Sequence, residues 1–316
     1  PDTHLVLTFT DSPIVGDSGM IRIYDTMSHQ IVDSLDLSIP SGPTESRTYG
    51  PECDYTKIPY DYTRTHMPTN RDTRPGTPSG TAEPTPPDYQ LNIIGGFTDA
   101  FHFHPIIVRD STATIYLHNN MLDYNHSYYV TIDEGVLTLP DHSFHGISKE
   151  HNWSFKTKDS VPASTDTLIV DANGQGDFNT VQGALDFIPD FSQKQTVILI
   201  QAGDYEELVY ARNKTNVKIK GAGMDRTRVH YANNEVFNPH PLTVKTNEWP
   251  GTFPSRRAAF MLDNCNDILL EDLTIATDLH GQAEGLLLNG ERIALYSVHI
   301  IGSGDALQAN GTIYME

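Results

Sequence analysis

Two polar residues near the C-terminal end of the sequence have the right chemistry for acyl transfer. Gln282 and Asp305 are 23 residues apart. An amide N–H can stabilise an oxyanion, and a carboxyl group can give a proton to a leaving alcohol and take one from water. On spacing alone, two solvated surface residues are the commoner outcome, so the pair needs a scaffold that brings it together.

The sequence around this pair repeats with a similar period. Residues 264–275 align with residues 289–300 at an offset of 25, and Asn310 follows 21 residues after Asn289. Apolar residues coincide at four positions, which are Ile268/Ile293, Leu270/Leu295, Leu273/Val298 and Ile275/Ile300. Apolar residues inside and Asn (264, 289, 310) at the corners predict a parallel β-helix, whose rungs lie about 4.8 Å apart. A flat β-sheet domain with chance similarity is the alternative.

One helix signal precedes the repeats. Helical spacing is shown by Val181, Ala184, Leu185 and Ile188, between Asn179 as a cap and Pro189 as a stop. We expect this short helix to cover the open first coil and protect its strand edges. The chain downstream has the pattern of strands, as at 197–200, 217–219 and 268–270.

The N-terminal part has a different pattern of apolar and polar residues. Both parts indicate strands, so we predict that the whole chain is all-β. Residues 1–158 contain short alternating runs, such as 4–9 and 153–155, which predict an antiparallel β-sandwich. A segment at about 40–90 holds ten of the twenty prolines and is predicted to be an inserted loop. Residues 159–166 are predicted to be a linker to a second domain at 167–316.

Composition limits the partners. With 21 Lys+Arg against 41 Asp+Glu, the chain has a formal net charge of −20, which disfavours nucleic acid and anionic membranes as partners. The sequence has no apolar run of about 18 residues that would predict a membrane span, and we expect that a signal peptide, if the protein is exported, was removed before Pro1. Cys53 and Cys265 lie in different predicted domains, so we expect no disulfide framework. His102 and His104 share a strand face, but without a third ligand we expect no metal site.

Three segments from residue 168 onward carry a family resemblance. They are VDANGQGDFNTVQGA at 170–184, IQAGDYEE at 200–207 and GAGMDRT at 221–227. They resemble segments of the pectinesterases. These carbohydrate esterases remove methyl esters from pectin, and their fold is a right-handed parallel β-helix. Because other β-helix carbohydrate enzymes share these elements, they indicate the fold more than the reaction.

Two further segments are more specific to that family. QAEGL at 282–286 and GERIALY at 290–296 resemble the family passage Gln-Ala-Val-Ala-Leu followed by Gly-Asp-Arg-x-x-x-Tyr. SGDAL at 303–307 stands where the family has Gln-Asp-Thr-Leu. The resemblance implies that Gln282 helps to form the oxyanion hole and that Asp305 acts as general acid and then general base. Gly304 replaces a second oxyanion-hole Gln, so that donor is absent or comes from elsewhere.

The resemblance also implies residues that this sequence does not contain. In the family the nucleophilic Asp lies about one coil after the acid/base Asp, and the Arg that orients it lies further on. One period past Asp305 lies beyond Glu316, so we expect the β-helix to be incomplete at its C-terminus and the natural protein to continue. We therefore expect the family mechanism to need residues past Glu316, which the 316-residue chain alone does not supply.

The first domain resembles a bacterial Ig-like module. The strands that carry this resemblance are GMIRIY at 19–24, YYVTID at 128–133 and WSFKT at 153–157. Such modules serve as spacers or glycan contacts, and nothing in the segment indicates chemistry.

The implied activity is hydrolysis of galacturonate methyl esters in pectin, with release of methanol. The implied partner is methyl-esterified pectin of the homogalacturonan type, and we expect no cofactor and no metal. Because pectin lies outside cells, we expect a secreted, periplasmic or cell-surface bacterial protein whose signal peptide was removed before this numbering begins. The alternatives are a catalytically inactive pectin-binding β-helix and another β-helix enzyme, a pectate lyase or a polygalacturonase.

Overall fold

The structure is a computed structural model that describes residues 2–42, 89–95, 100–149, 153–234, 237–238, 256–280 and 282–316. The chain divides into two compact units. The described residues of the first are 2–42, 89–92, 102–149 and 153–161, and those of the second are 93–95, 100–101 and everything described from residue 162 onward. Within the described ranges no helix has the length and apolar character needed to cross a bilayer. Most of the Pro-rich segment at 40–90 lies outside the described residues.

Antiparallel sheets dominate the N-terminal part, as its alternating runs predict. Its strands are β1 (His4–Thr8), β2 (Ile14–Val15), β3 (Met20–Asp25), β4 (Ile31–Asp36), β5 (Leu91–Ile93), β6 (Ala100–His102), β7 (Ile106–Arg109), β8 (Thr112–Tyr116), β9 (Ser127–Ile132), β10 (Leu137–Thr138) and β11 (Trp153–Lys156). One sheet has the order β1-β8-β7 and another has the order β11-β9-β3-β4. Alternate side chains of β3 and β9 are buried, among them Ile21, Ile23, Tyr128 and Val130, so one face of this sheet faces a core.

The predicted helix is present as α1, Val181–Phe187. Its cap is Thr180 and not Asn179: the Thr180 hydroxyl accepts a hydrogen bond from Gly183 N at 3.0 Å. The carboxylate of Glu207 accepts two more, from Val181 N at 2.8 Å and Gln182 N at 3.0 Å. The apolar side of α1 belongs to the same hydrophobic core as the strand interiors, so the helix covers the start of the coils as predicted.

The second unit is a parallel β-helix. After α1 the strands are β13 (Thr196–Ile200), β14 (Gly203–Glu206), β15 (Val209–Arg212), β16 (Thr215–Lys220), β17 (Thr227–Tyr231), β18 (Phe260–Thr277), β19 (Leu286–Ile301) and β20 (Leu307–Met315), and β12 (Thr167–Val170) precedes the helix. Strands β12 to β20 pair with one another in parallel.

The coils have three faces. Face 1 contains β12, β13, β16 and the middle parts of β18 and β19. Face 2 contains β14, β17 and the C-terminal parts of β18 and β19. Face 3 contains β15 and the N-terminal parts of β18, β19 and β20. A loop between face 2 and face 3 therefore occurs once per coil.

The apolar repeat predicted from the sequence is the observed register. Strands β18 and β19 pair Ile268 with Ile293, Leu270 with Leu295, Leu273 with Val298 and Ile275 with Ile300. These side chains pack in or against one continuous core. The alternative of a flat sheet domain is therefore wrong, because each coil stacks on the next in parallel register.

The predicted ladder of corner Asn residues is only partly present. Asn310 does stack on Asn289, with Asn310 Nδ2 donating to Asn289 Oδ1 at 2.7 Å. Asn264 does not stack on Asn289, because the register shifts between Asp263 and Cys265 and places Asp263 opposite Asn289. Asn264 takes a positive φ of 53° and donates to Asn213 instead.

A buried polar ladder therefore crosses face 3 from coil to coil. Asn289 Nδ2 lies 3.3 Å from Asp263 Oδ1, and Arg212 Nε donates to Asp263 Oδ2 at 2.7 Å. The side chains of Arg212 and Asp263 are 1% and 0% exposed. A buried charge without a partner is energetically costly. The ladder, which takes one residue from each of four successive coils, therefore favours the register in which these residues are paired.

A second polar cluster links neighbouring coils at face 2. His230 is 3% exposed, its Nδ1 is hydrogen-bonded to Asp278 Oδ2 and its Nε2 lies 3.2 Å from Asp204 Oδ1. Burial alone would lower the pKa of His230, but the hydrogen bonds and negative charges of the two aspartates outweigh it and raise the pKa to about 9. The imidazole is therefore protonated at neutral pH and bridges two carboxylates.

Loss of the buried ion pair is expected to destabilise the β-helix strongly. Asp263→Ala leaves Arg212 buried without its carboxylate and should cost about 3–5 kcal/mol in the free energy of unfolding. The matched control is Asp267→Asn, which removes the exposed ion pair with Arg292 but tolerates the φ of 55° at this position, and it should cost less than about 1 kcal/mol. Urea unfolding measures both, and equal losses would contradict the structural role of the ladder.

The His230 bridge makes the stability of the β-helix depend on pH. Because the folded-state pKa lies above the unfolded value of 6.5, the bridge stabilises fully below that value, and its contribution of about 3 kcal/mol disappears as pH rises through about 9. The stability difference between the parent and His230→Gln should therefore be larger at about pH 6 than at about pH 10. His145→Gln removes an exposed His–Glu134 pair and is the control, for which thermal unfolding should show little difference at either pH.

Candidate functional site

Gln282 and Asp305 lie on neighbouring loops between face 2 and face 3. The first loop spans 278–285, with residue 281 outside the described residues, and the second spans 302–306. Ala283 N donates to Ser303 O at 3.0 Å, and Ser303 N donates to Ala283 O at 2.9 Å. The two predicted site residues are close to these hydrogen bonds in the sequence: Gln282 directly precedes Ala283, and Asp305 follows Ser303 by two residues. Both are exposed. The structure thus brings the two loops together and leaves both side chains accessible.

The two loops approach so closely that one position needs glycine. A Cβ on Gly302 would lie 2.4 Å from Ala306 Cα and 2.9 Å from Ala283 O. Gly285 N also donates to Ala306 O at 3.0 Å, which joins the end of one loop to the end of the next. Backbone contacts alone therefore fix the separation of the loops.

Gly304 has a backbone conformation that explains the absence of a longer side chain. Its φ is 78°, in the left-handed region that glycine adopts at little cost. A Gln in the same conformation would be strained, so the loop as built does not favour a second amide donor at this position.

The preceding coil contributes a third loop to the site. Arg257 Nε donates to Glu284 Oε1 at 2.6 Å, and Ala259 N donates to Glu284 O at 3.0 Å. The Glu284 side chain is 0% exposed. The loop that carries Gln282 is therefore held on one side by residues 257–259 and on the other by Ser303.

Burial raises the pKa of Glu284 above its ordinary value. The charge and hydrogen bond of Arg257 lower it in part, and the negative charge of Asp305 raises it further. Sequence reasoning did not select this residue, although a signal was present: Glu284 stands where the family passage has Val. A carboxyl group in an apolar position is costly unless something compensates it.

A metal-like cluster lies on face 2 rather than between these loops. In the described part of the chain, Glu206, His230 and Asp278 offer ligand atoms within 4.8 Å of one another. Both carboxylate oxygens of Asp278 are already engaged, one by His230 and the other by Arg228 Nη2 at 2.7 Å. In this structure these contacts form an ion-pair cluster of His230 and Arg228 with the carboxylates of Asp278 and Asp204.

Other candidates from the sequence lie in buried positions. His102 and His104 are each 1% exposed, and burial lowers the pKa of His104 to about 3, so that imidazole is neutral. Cys265 is a buried free thiol whose pKa burial raises to about 12, which makes it inert as a nucleophile. Cys53 lies outside the described residues.

Comparisons with known proteins point to one family. Residues 167–313 match the family model described as Pectinesterase. "Probable pectinesterase 8" from Arabidopsis thaliana is 29% identical over 154 residues, which cover 48% of this chain and 38% of that protein. "Pectinesterase/pectinesterase inhibitor" from Ficus pumila var. awkeotsang is 39% identical over 70 residues, which cover 22% of this chain and 13% of that protein.

The solved structures that this chain resembles include pectin methylesterases. Pectin methylesterase from carrot is 24% identical, with a TM-score of 0.37, and the match covers 47% of this chain and 43% of the carrot chain. The chain spans less than half the length of the curated relatives named here. Residues 167–313, which contain both Gln282 and Asp305, are therefore similar to the pectinesterase family over most of the β-helix coils.

Proposed function

We propose that this protein hydrolyses galacturonate methyl esters in pectin and releases methanol. One observation carries the proposal: the Ala283–Ser303 hydrogen bonds join two loops on which an amide, Gln282, and a carboxyl group, Asp305, are both exposed. An oxyanion donor and a proton carrier at one surface are what acyl transfer requires. The pectinesterase match of residues 167–313 gives this pair a substrate class.

In the proposed mechanism a carboxylate nucleophile attacks the methyl-ester carbonyl. The family resemblance implies that this nucleophile is an aspartate about one coil after Asp305. Gln282 donates a hydrogen bond to the developing oxyanion, and Asp305 in its acid form gives its proton to the departing methoxide, so that methanol leaves and an acyl-enzyme remains. Asp305 then takes a proton from water as the hydroxide attacks the acyl-enzyme, which restores the nucleophile and yields galacturonic acid.

The rest of the chain enters the proposal as context for this site. Residues 1–158 would be an Ig-like sandwich that acts as a spacer or glycan contact, joined by the linker 159–166 to a right-handed β-helix. Because pectin lies outside cells, the proposal places the protein in the secreted, periplasmic or cell-surface space. The acyl-enzyme chemistry needs no metal and no cofactor.

A second candidate is a binding-only protein that holds pectin without cleaving its esters. Gly304 favours this candidate, because its φ of 78° and its missing side chain remove the second amide donor of the family pattern. A polysaccharide lyase or a polygalacturonase would give different products, namely unsaturated ends or shorter chains without methanol.

Substitution of either loop residue should reduce methanol release from methyl-esterified pectin. We expect Gln282→Ala to lower kcat about 10²–10³-fold, since one oxyanion donor is lost. Asp305→Asn should lower it about 10²–10⁴-fold, since the proton carrier is lost. The assay measures methanol from the whole protein, including any residues that follow Glu316.

The matched controls change the same groups elsewhere on the surface. Gln193→Ala removes an exposed amide next to α1, and Asp267→Asn removes a carboxylate on face 1; both should retain parental activity. Methanol release that survives both site substitutions would contradict the proposal. Pectin binding without methanol would support the binding-only candidate, and unsaturated products would identify a lyase.

The net charge predicts a preference for well-methylated pectin. A protein with a formal charge of −20 repels polygalacturonate, and salt screens this repulsion within about 8–10 Å. At low ionic strength, methanol release per ester should therefore be faster on highly methylated than on sparsely methylated pectin, and added salt should narrow the difference. Equal rates on both substrates at low ionic strength would contradict the prediction.

A further inference from the structure

The outer surface of face 3 is covered in three successive coils. Strands β15, β18 and β19 place Tyr210, Met261 and Leu287 in one row across these coils, which we call the outer row. The neighbours of these residues along each strand pack in the central core, so the outer row points away from it. Each of the three residues is nevertheless 0% exposed. Other residues must therefore lie over the outer row.

Residues that precede the β-helix in the sequence, but belong to the same compact unit, pack on the outer row. Ile94 and Phe101 form one apolar cluster with the row and with Ala258. The centroids of the Phe101 and Tyr210 rings are 5.2 Å apart. Gly95 approaches the strand so closely that a Cβ there would lie 2.2 Å from Tyr210 O. We call Ile94, Gly95 and Phe101 the cover.

The cover reaches the loop that adjoins the candidate site. This loop, residues 256–259, holds the Gln282 loop on the side of the preceding coil. Its Ala258 belongs to the same apolar cluster as Phe101, and the guanidinium carbon of its Arg256 lies 5.6 Å from the centre of the Phe101 ring. A cation near an aromatic ring is a favourable contact. The surface next to the Gln282 loop is therefore occupied on this side.

On the side of the following coil the outer row changes character. Leu287 pairs with Gln308 of β20, so an amide stands where the three earlier coils have Tyr, Met and Leu. Gln308 is half-buried, and among the described residues the apolar cluster of Ile94 and Phe101 includes none from β20. The apolar, covered surface thus gives way to a polar surface at the coil that follows Asp305.

We propose that the cover is the end wall of the candidate substrate groove, so that a pectin chain reaches Gln282 and Asp305 only from the side of β20. The inference rests on the proposed function and narrows its substrate to the ends of methyl-esterified galacturonan chains. In an open groove a polysaccharide extends past the reacting sugar in both directions. Here Ile94 and Phe101 already fill the surface on one side, which leaves room for one direction.

Displacement of the cover by a sugar chain is unfavourable. It would expose the outer row and separate Phe101 from Arg256, and the hydroxyl groups of a sugar do not replace the lost apolar contacts. A filled position rejects ligands through steric clash, which gives specificity without any added contact. The wall therefore selects against galacturonans that continue past the reacting sugar on that side.

Binding of end-blocked oligosaccharides tests the wall without catalysis. The probe is fully methyl-esterified hexagalacturonate, either unmodified or with a bulky fluorophore at its reducing end or at O4 of its non-reducing end. The whole protein with Asp305→Asn, which suppresses turnover, is titrated with each form. One labelled form should bind like the unmodified probe, and the other should bind at least about tenfold more weakly, because its label clashes with the wall.

Equal affinities of the two labelled forms would overturn the inference, whether both bind or both fail to bind. Methanol release by the parent protein tests the proposed function separately. Unequal affinities without methanol would reject the esterase and keep the wall. Methanol release with equal affinities would keep the esterase and reject the wall.

The position of the lost esters gives a second measurement on the parent protein. After brief digestion of the unmodified probe, tandem mass spectrometry locates the free carboxyl groups along the chain. We expect them at one end of the oligosaccharide, and at the same end in every molecule. Loss of interior esters at the same rate as terminal ones would contradict the presence of a wall.

Substitution of Phe101 tests the cover directly. Phe101→Ala removes the ring next to Tyr210 and Arg256, and it should bring the affinity of the weaker labelled form closer to that of the stronger one. The matched control is Phe178→Ala, which removes a ring of similar burial from the central core and should leave the ratio of affinities unchanged. An unchanged ratio in folded Phe101→Ala, checked by circular dichroism, would overturn the inference. If that variant does not fold, the two measurements on the intact cover decide.

Discussion

The parallel pairing of successive coils is the constraint on which the site depends. Backbone pairing alone would allow a strand to slip, but the buried ladder from Arg212 through Asp263 and Asn289 to Asn310 is satisfied in one register only. The loops between faces 2 and 3 leave from these fixed strands. A separation of 23 residues in the sequence thereby becomes a contact between adjacent loops.

The parts of this fold that follow from apolar periodicity could be predicted from the sequence. The register of Ile268 with Ile293 and of Ile275 with Ile300 is set by inward burial, which a repeat of apolar residues shows directly. The polar corner could not be predicted in full. Asn264 and Asp263 are adjacent, and only the bulge between the strands decides that Asp263 stacks on Asn289.

At the helix and at the candidate site, prediction from the sequence is limited for the same reason: side chains bind partners that are distant in the sequence. The spacing of apolar residues locates α1, but two of its N-terminal amides donate to the carboxylate of Glu207, which directly follows β14 and lies 26 and 25 residues away in the sequence. Glu284 is a comparable case. Nothing in its neighbouring residues shows that it is buried, because Arg257 reaches it from the preceding coil.

Backbone groups position the loops of the candidate site, whereas side chains would provide its chemistry. Ala283, Ser303, Gly285 and Ala306 are joined through backbone groups, whose hydrogen bonds do not depend on the side chain beside them. The loops can therefore keep their positions while Gly304 and Glu284 depart from the family pattern. These departures leave residue 304 without a side-chain amide and place a buried carboxyl group at residue 284. Gln282 and Asp305 stay on adjoining loops in spite of both departures, because the backbone hydrogen bonds that join the loops involve neither side chain.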